Sequence, residues 1–230
     1  MKLDKLFAGL KRIANGDYVL EGDLICEDNL EIELDDRLVV RGKIEVKKSI
    51  IAKLSVIAGC GIKAGEGIEA GEGIKAGCGI EAGCGIEAGW GIKAGEGIKA
   101  GCGIEAGCGI EAGEGIKAGW GIEAGCGIKA GEGIKAGWGI KAGEGIKAGC
   151  GIEAGWGIEA KTFIHSEKRI FSGVSVYHTS ANCKKQIKCA ELRKGEICFG
   201  DLVIEQPVVE MTIAEIEAKL GIQNLKIKEQ

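Results

Sequence analysis

Proline is almost absent from this 230-residue chain, with Pro207 the single example, and histidine is nearly as scarce, with only His165 and His178. Aromatic residues make up 4%. The 42 glycines therefore do not signal collagen, which needs Gly at every third position alongside abundant proline. Charge of one sign is lacking too. Thirty Lys and Arg against 34 Asp and Glu leave a net charge of −4, too balanced for a nucleic-acid binder. No apolar run approaches the ~20 residues that cross a membrane. The opening stretch, MKLDKLFAGLKRIANGD, is amphipathic and charged, unlike an export signal. The chain is accordingly expected in the cytoplasm and off the membrane.

What is present is a hexapeptide, G-x-G-I-[KE]-A, repeated without insertion from Gly61 to Ala160. Its Ile column runs from Ile62 every six residues to Ile158, seventeen copies in all. A pattern this strict calls for a structure that repeats as strictly, a solenoid. Two glycines per hexad would cost a helix roughly 2 kcal/mol against Ala. The alternation within G-I-x-A instead suits a short strand with Ile and Ala on a dry face and Lys or Glu on a wet one. The G-x-G suits a corner, where glycine tolerates backbone angles that other residues avoid.

The residue between the two glycines is always Cys, Glu or Trp, and its recurrence sets the coil. Identical residues recur in 7 of 14 pairs eighteen apart, in 6 of 13 pairs twenty-four apart and in 1 of 15 pairs twelve apart. Eighteen residues, three hexads per coil, predicts a three-sided β-helix with three corner ladders. One is Cys60, Cys78, Glu96, Glu114, Glu132, Cys150; another is Glu66, Cys84, Cys102, Trp120, Trp138, Trp156; the third is Glu72, Trp90, Cys108, Cys126, Glu144. On one face the charged position reads Glu69, Glu87, Glu105, Glu123, Lys141, Glu159, while the other two carry eight Lys against three Glu.

The Ile frame continues backwards to Leu38 and forwards to Val176, which predicts about eight coils. Three regions follow: 1–37, an N-terminal helix and capping strands; 38–176, the solenoid; and 177–230, a strand-rich segment with a docking tail. Leu3, Leu6, Phe7, Leu10 and Ile13 fall at helical spacing and predict a helix over residues 2–14 that caps the first coil. A turn is expected at residues 193–196. Thr212 and Glu215 form a capping box for a short helix ended by Gly221, followed by a strand over residues 225–228, a small α+β cap.

Seven of the eleven cysteines occupy corners where Glu and Trp also stand, so no ligand geometry is maintained. Cys26, Cys183, Cys189 and Cys198 lack metal-site spacing. Stacked pairs such as Cys60 with Cys78, Cys84 with Cys102 and Cys108 with Cys126 lie within disulfide reach, but the cytoplasmic expectation favours thiols. No metal or other cofactor is expected. No paired nucleophile and base, and no phosphate loop leading into a helix, is found, so the chain is read as non-enzymatic.

The Ile62–Ile158 column resembles that of hexapeptide-repeat acyltransferases, whose three-sided coils are left-handed; the resemblance implies a left-handed β-helix here. Their histidine base has no counterpart before His165, and their small residue sits two before the aliphatic position, where Cys, Glu or Trp stands here. In repeat style over about residues 20–176 the chain resembles bactofilins, polymer-forming cytoskeletal β-helix proteins, although capping elements at both ends oppose end-to-end polymerisation. The tail MTIAEIEAKLGIQNLKIK, residues 211–228, resembles helix-strand tails of small bacterial and phage proteins. The expected function is a binding or scaffold protein that associates with itself, as a homodimer or larger, and presents charged faces to a protein partner. Its candidate interface is Trp120, Trp138 and Trp156 with Glu69, Glu87, Glu105 and Glu123. The alternatives are a phage-encoded inhibitor in which the Glu column imitates phosphates, and a bactofilin-like polymer.

Overall fold

Each hexad contributes one three-residue strand, from Ile62–Ala64 through to Ile158–Ala160. Ile and Ala point inward, with every Ile of the column no more than 2% exposed, while the residue between them faces solvent. Period-two alternation across three residues leaves each strand too short to stand alone. Each strand is held by the coils above and below it.

The pairing is parallel and in register at eighteen residues: Ile62 faces Ile80, Ile68 faces Ile86 and Ile74 faces Ile92. Three strands therefore close one coil, and the protein is a three-sided β-solenoid. The computed structural model describes residues 1–5, 7–173 and 185–205. One face is an eleven-stranded sheet running from Lys2–Leu3 to Asp201–Ile204. The other two faces join where Phe163–Ser172 turns a corner and pairs with both Ile146–Ala148 and Ile152–Ala154.

The first glycine of the corner, just before the Cys, Glu or Trp, owes its place to close packing. None of the repeat glycines has a positive φ; among the described residues the glycines that do are Gly9, Gly16, Gly22, Gly173, Gly195 and Gly200, all outside the perfect repeat. At Gly77 a Cβ would sit 2.0 Å from the Gly59 carbonyl oxygen of the coil before, and at Gly101 1.9 Å from that of Gly83. Coils approach at these points more closely than any side chain allows. The expectation that the glycines serve unusual backbone angles is corrected accordingly.

At the N-terminal end, the described residues of 2–14 form the strands Lys2–Leu3 and Leu10–Arg12 and no helix. The latter strand pairs antiparallel with Tyr18–Leu20. Gly9, at a φ of 87°, breaks the helical frame between them. The apolar stripe still reaches the end of the core: Leu3 is fully buried, and Phe7 and Leu10 pack against it. Coil stacking also begins before residue 38. Tyr18 pairs with Leu38, Leu24 with Ile44 and Leu30 with Ile50, at a spacing of twenty residues. The extra residues lie between Leu30–Ile32 and Leu38–Val40. There Arg37 makes two hydrogen bonds to the buried Asp17, at 2.8 and 3.2 Å, and the Tyr18 hydroxyl donates to Asp35 at 2.7 Å.

At the other end, Glu191–Phe199 is one continuous strand paired with Phe163–Ser172, so the turn expected at 193–196 is absent. Gly195, at a φ of 131°, lets this strand bend while Leu192 and Ile197 pack on the core. The expected helix at 212–221, the strand at 225–228 and the frame position Val176 lie outside the described residues.

Candidate functional site

The hexad builds a trough along each face. The corner residue points outward, the glycine after it leaves the backbone bare, Ile points inward, and the charged residue points outward again. The bare glycine column is thus a floor, with a corner ladder as one wall and a charged column as the other.

All seven residues singled out from the sequence line one trough of about 780 Å³. Its first wall carries Trp120, Trp138 and Trp156 on successive coils, tied by amide-to-carbonyl bonds of 3.1 Å from Trp138 to Trp120 and 3.2 Å from Trp156 to Trp138. Their rings stack, with centroids 5.5 and 5.4 Å apart and planes inclined by 11° and 7°. They remain exposed, at 54%, 43% and 38%. The fourth tryptophan, Trp90, stands on another corner between Glu72 and Cys108.

The facing wall is the carboxylate column, with Glu69 beside Glu87, Glu87 beside Glu105 and Glu105 beside Glu123. Glu123 accepts a 2.9 Å ion pair from Lys141, whose pKa is raised by that hydrogen bond and charge. Among the described residues no cation forms an ion pair with Glu69, Glu87 or Glu105. The column ends in Ile51 on one side, and on the other in Glu159 beside Lys188.

The other two faces differ in charge. There Lys93 and Lys129 both hold Glu111, at 2.8 and 3.0 Å, Lys99 holds Glu81 and Lys135 holds Glu153. Glu111 is lowered in pKa chiefly by the hydrogen bonds from Lys93 and Lys129. A larger trough, about 1420 Å³, has Glu114 and Glu132 on one wall and Lys117 and Lys135 on the other, so its charges offset each other locally. The uncompensated column and the aromatic stack belong to the same face.

Sequence reasoning found the two walls separately without placing them together. The signal was in the hexad: Trp120 and Glu123, like Trp156 and Glu159, are three residues apart within one W-G-I-E unit. Among the described residues no group of three or more His, Cys, Asp or Glu side chains is placed to hold a metal ion, and no helix is long and apolar enough to cross a membrane. No protein-family model matches the chain, no curated protein matches it, and no solved structure matches it.

Proposed function

We propose that this protein is a non-enzymatic β-solenoid scaffold of the cytoplasm that self-associates through the tryptophan ridge and presents its carboxylate column to a basic segment of a protein partner. The observation that carries this reading is the exposed Trp120–Trp138–Trp156 stack walling the same trough as Glu69, Glu87 and Glu105. Clustered aromatic side chains with one open apolar side dominate interface energetics. A column of uncompensated carboxylates steers and selects a cationic partner.

The two roles are compatible in space. A two-fold pairing centred on Trp138 sets Trp120 of one copy against Trp156 of the other, ridge to ridge. Glu69, Glu87 and Glu105 lie on coils before the ridge, and their column stands across the glycine floor from the corner that such a pairing covers.

The test is light scattering on the full chain during gel filtration, with and without Trp138→Ser, and anisotropy of a fluorescent Lys/Arg-rich peptide. A wild-type dimer that becomes monomeric in Trp138→Ser is expected. Peptide binding is expected to fail in the Glu69→Lys/Glu87→Lys/Glu105→Lys variant while the dimer persists. An unchanged mass for Trp138→Ser overturns the ridge as the seam, and large concentration-dependent assemblies would favour a bactofilin-like polymer. A second reading, the phage-encoded inhibitor of a host nucleic-acid-handling or defence protein, draws on the same three carboxylates as phosphate mimics. It predicts salt-sensitive competition with DNA for a DNA-binding protein, lost on charge reversal and indifferent to Trp138.

A further inference from the structure

We propose that the three stacked cysteine pairs, Cys60 with Cys78, Cys84 with Cys102 and Cys108 with Cys126, are each a two-coordinate site for copper(I). The sites lie outside the function read from the trough and do not depend on it. Six of the seven corner cysteines stand as neighbours on consecutive coils, one pair on each corner of the solenoid. The backbone holds them directly one over the other, with amide-to-carbonyl bonds of 3.0 Å from Cys78 to Cys60, 3.0 Å from Cys102 to Cys84 and 2.9 Å from Cys126 to Cys108.

Distance decides between a metal bridge and a disulfide. Parallel strands lie about 4.8 Å apart, so side chains that project alike from stacked corners place their sulfurs about that far from each other. Two metal–thiolate bonds of about 2.3 Å laid end to end span ~4.6 Å, with the coils left where they are. A disulfide wants the two Cβ atoms within roughly 3.5–4.5 Å, which means pinching the coils together. The corner resists this, because the glycine just before Cys78 already packs against the Gly59 carbonyl beneath it. All ten described cysteines are free thiols.

Each pair also has one carboxylate next to it on its ladder: Glu96 follows Cys78, Glu66 precedes Cys84, and Glu144 follows Cys126. The thiols beside these carboxylates are raised in pKa, first by desolvation and then by the charges of the carboxylate and of the partner cysteine. The described residues offer no set of three or more converging ligands, which rules out the four-coordinate geometry zinc takes and leaves two soft sulfurs, the donor set that selects copper(I). One thiol of each pair is exposed and the other half-buried, so the metal has open access. Binding replaces two S–H bonds by two S–Cu bonds, releases two protons to solvent and moves no electrons between atoms.

The test titrates full-length, reduced protein under anaerobic conditions with copper(I) held by bathocuproine disulfonate, following the chelator's absorbance. Three equivalents withdrawn per chain are expected. Cys78→Ser, Cys102→Ser and Cys126→Ser should each lose one equivalent and the triple variant all three, with far-UV circular dichroism unchanged. X-ray absorption of the loaded wild type should find two sulfurs per copper. No withdrawal by the wild type, equal withdrawal by the triple variant, or three or more sulfurs per copper would overturn the proposal.

Discussion

Gly101 and Gly103 flank the same corner residue, Cys102, and the structure assigns them opposite tolerance for a methyl group. A Cβ on Gly101 would lie 1.9 Å from the Gly83 oxygen and 2.9 Å from its carbonyl carbon, whereas a Cβ on Gly103 would meet the Gly121 oxygen at an ordinary 3.5 Å. Gly101→Ala must therefore push its coil outward by about 1 Å in a close-packed stack. That displacement strains the amide bonds from Gly101 to Ala82, at 3.1 Å, and from Cys102 to Cys84, at 3.0 Å. Overpacking costs about 1–3 kcal/mol, and two weakened backbone bonds cost about 1 kcal/mol each. Gly101→Ala should thus destabilise by roughly 3 kcal/mol or more. Gly103→Ala keeps a permitted backbone and stiffens the unfolded chain, so it should lie near neutral or stabilise by about 0.4–1 kcal/mol. Urea unfolding followed by far-UV circular dichroism measures both. Equal effects at the two positions would refute the argument that coil-to-coil contact, rather than backbone conformation, demands glycine.

Trp138 contacts a ring on either side, so Trp138→Ser forfeits two aromatic pairs at about 0.5–1.5 kcal/mol each. Trp90→Ser, at a position 62% exposed and outside the stack, should change stability by less than about 0.5 kcal/mol; similar losses in denaturation midpoint for both would deny the stack any cohesion. Acid should loosen the two ends. Asp35 is held at about 2 by hydrogen bonds from Lys5 and then Tyr18, and Glu167 at about 2 by Lys194 and then His165. Carboxylates depressed in the fold contribute stability above their unfolded values near 4, and that contribution is lost as pH falls from about 4 towards 2. Hydrogen-exchange protection, referred to the intrinsic rate at each pH, should fall first near residues 18–37, 163–173 and 185–199, and a uniform loss along the repeat would contradict it.

The coil, the three ladders and the buried Ile–Ala columns were legible because the sequence varies only at positions the fold leaves free. Glu114 repeats Glu96, and Trp138 repeats Trp120, because stacked corners share one environment. The twenty-residue coils were not legible. Eight residues separate Leu30 from Leu38, and a frame extended by sixes from Ile62 stops there. Helical spacing over residues 2–14 misled for a different reason. A short apolar segment covering an open end satisfies a 3.6-residue period and a folded-back strand about equally well, and Gly9 decides between them through long-range packing. The meeting of Trp120 with Glu123 on one trough was written in the hexad, but it needed the direction of each side chain to be followed around the coil.

The register at eighteen residues makes the two halves of the molecule behave like parts of an indexed screw. Inserting a single hexad between Glu105 and Trp120 would give every strand its Ile and Ala, and would cost the core nothing. It would also turn everything downstream by one corner. The tryptophan ridge would then continue the corner ladder of a lysine-rich face, and Glu69, Glu87 and Glu105 would keep their own trough without it. Only additions or deletions of three hexads return the ridge to its place. Length in this fold is therefore free in steps of one whole turn, and any other step rewrites the surface while leaving the interior intact.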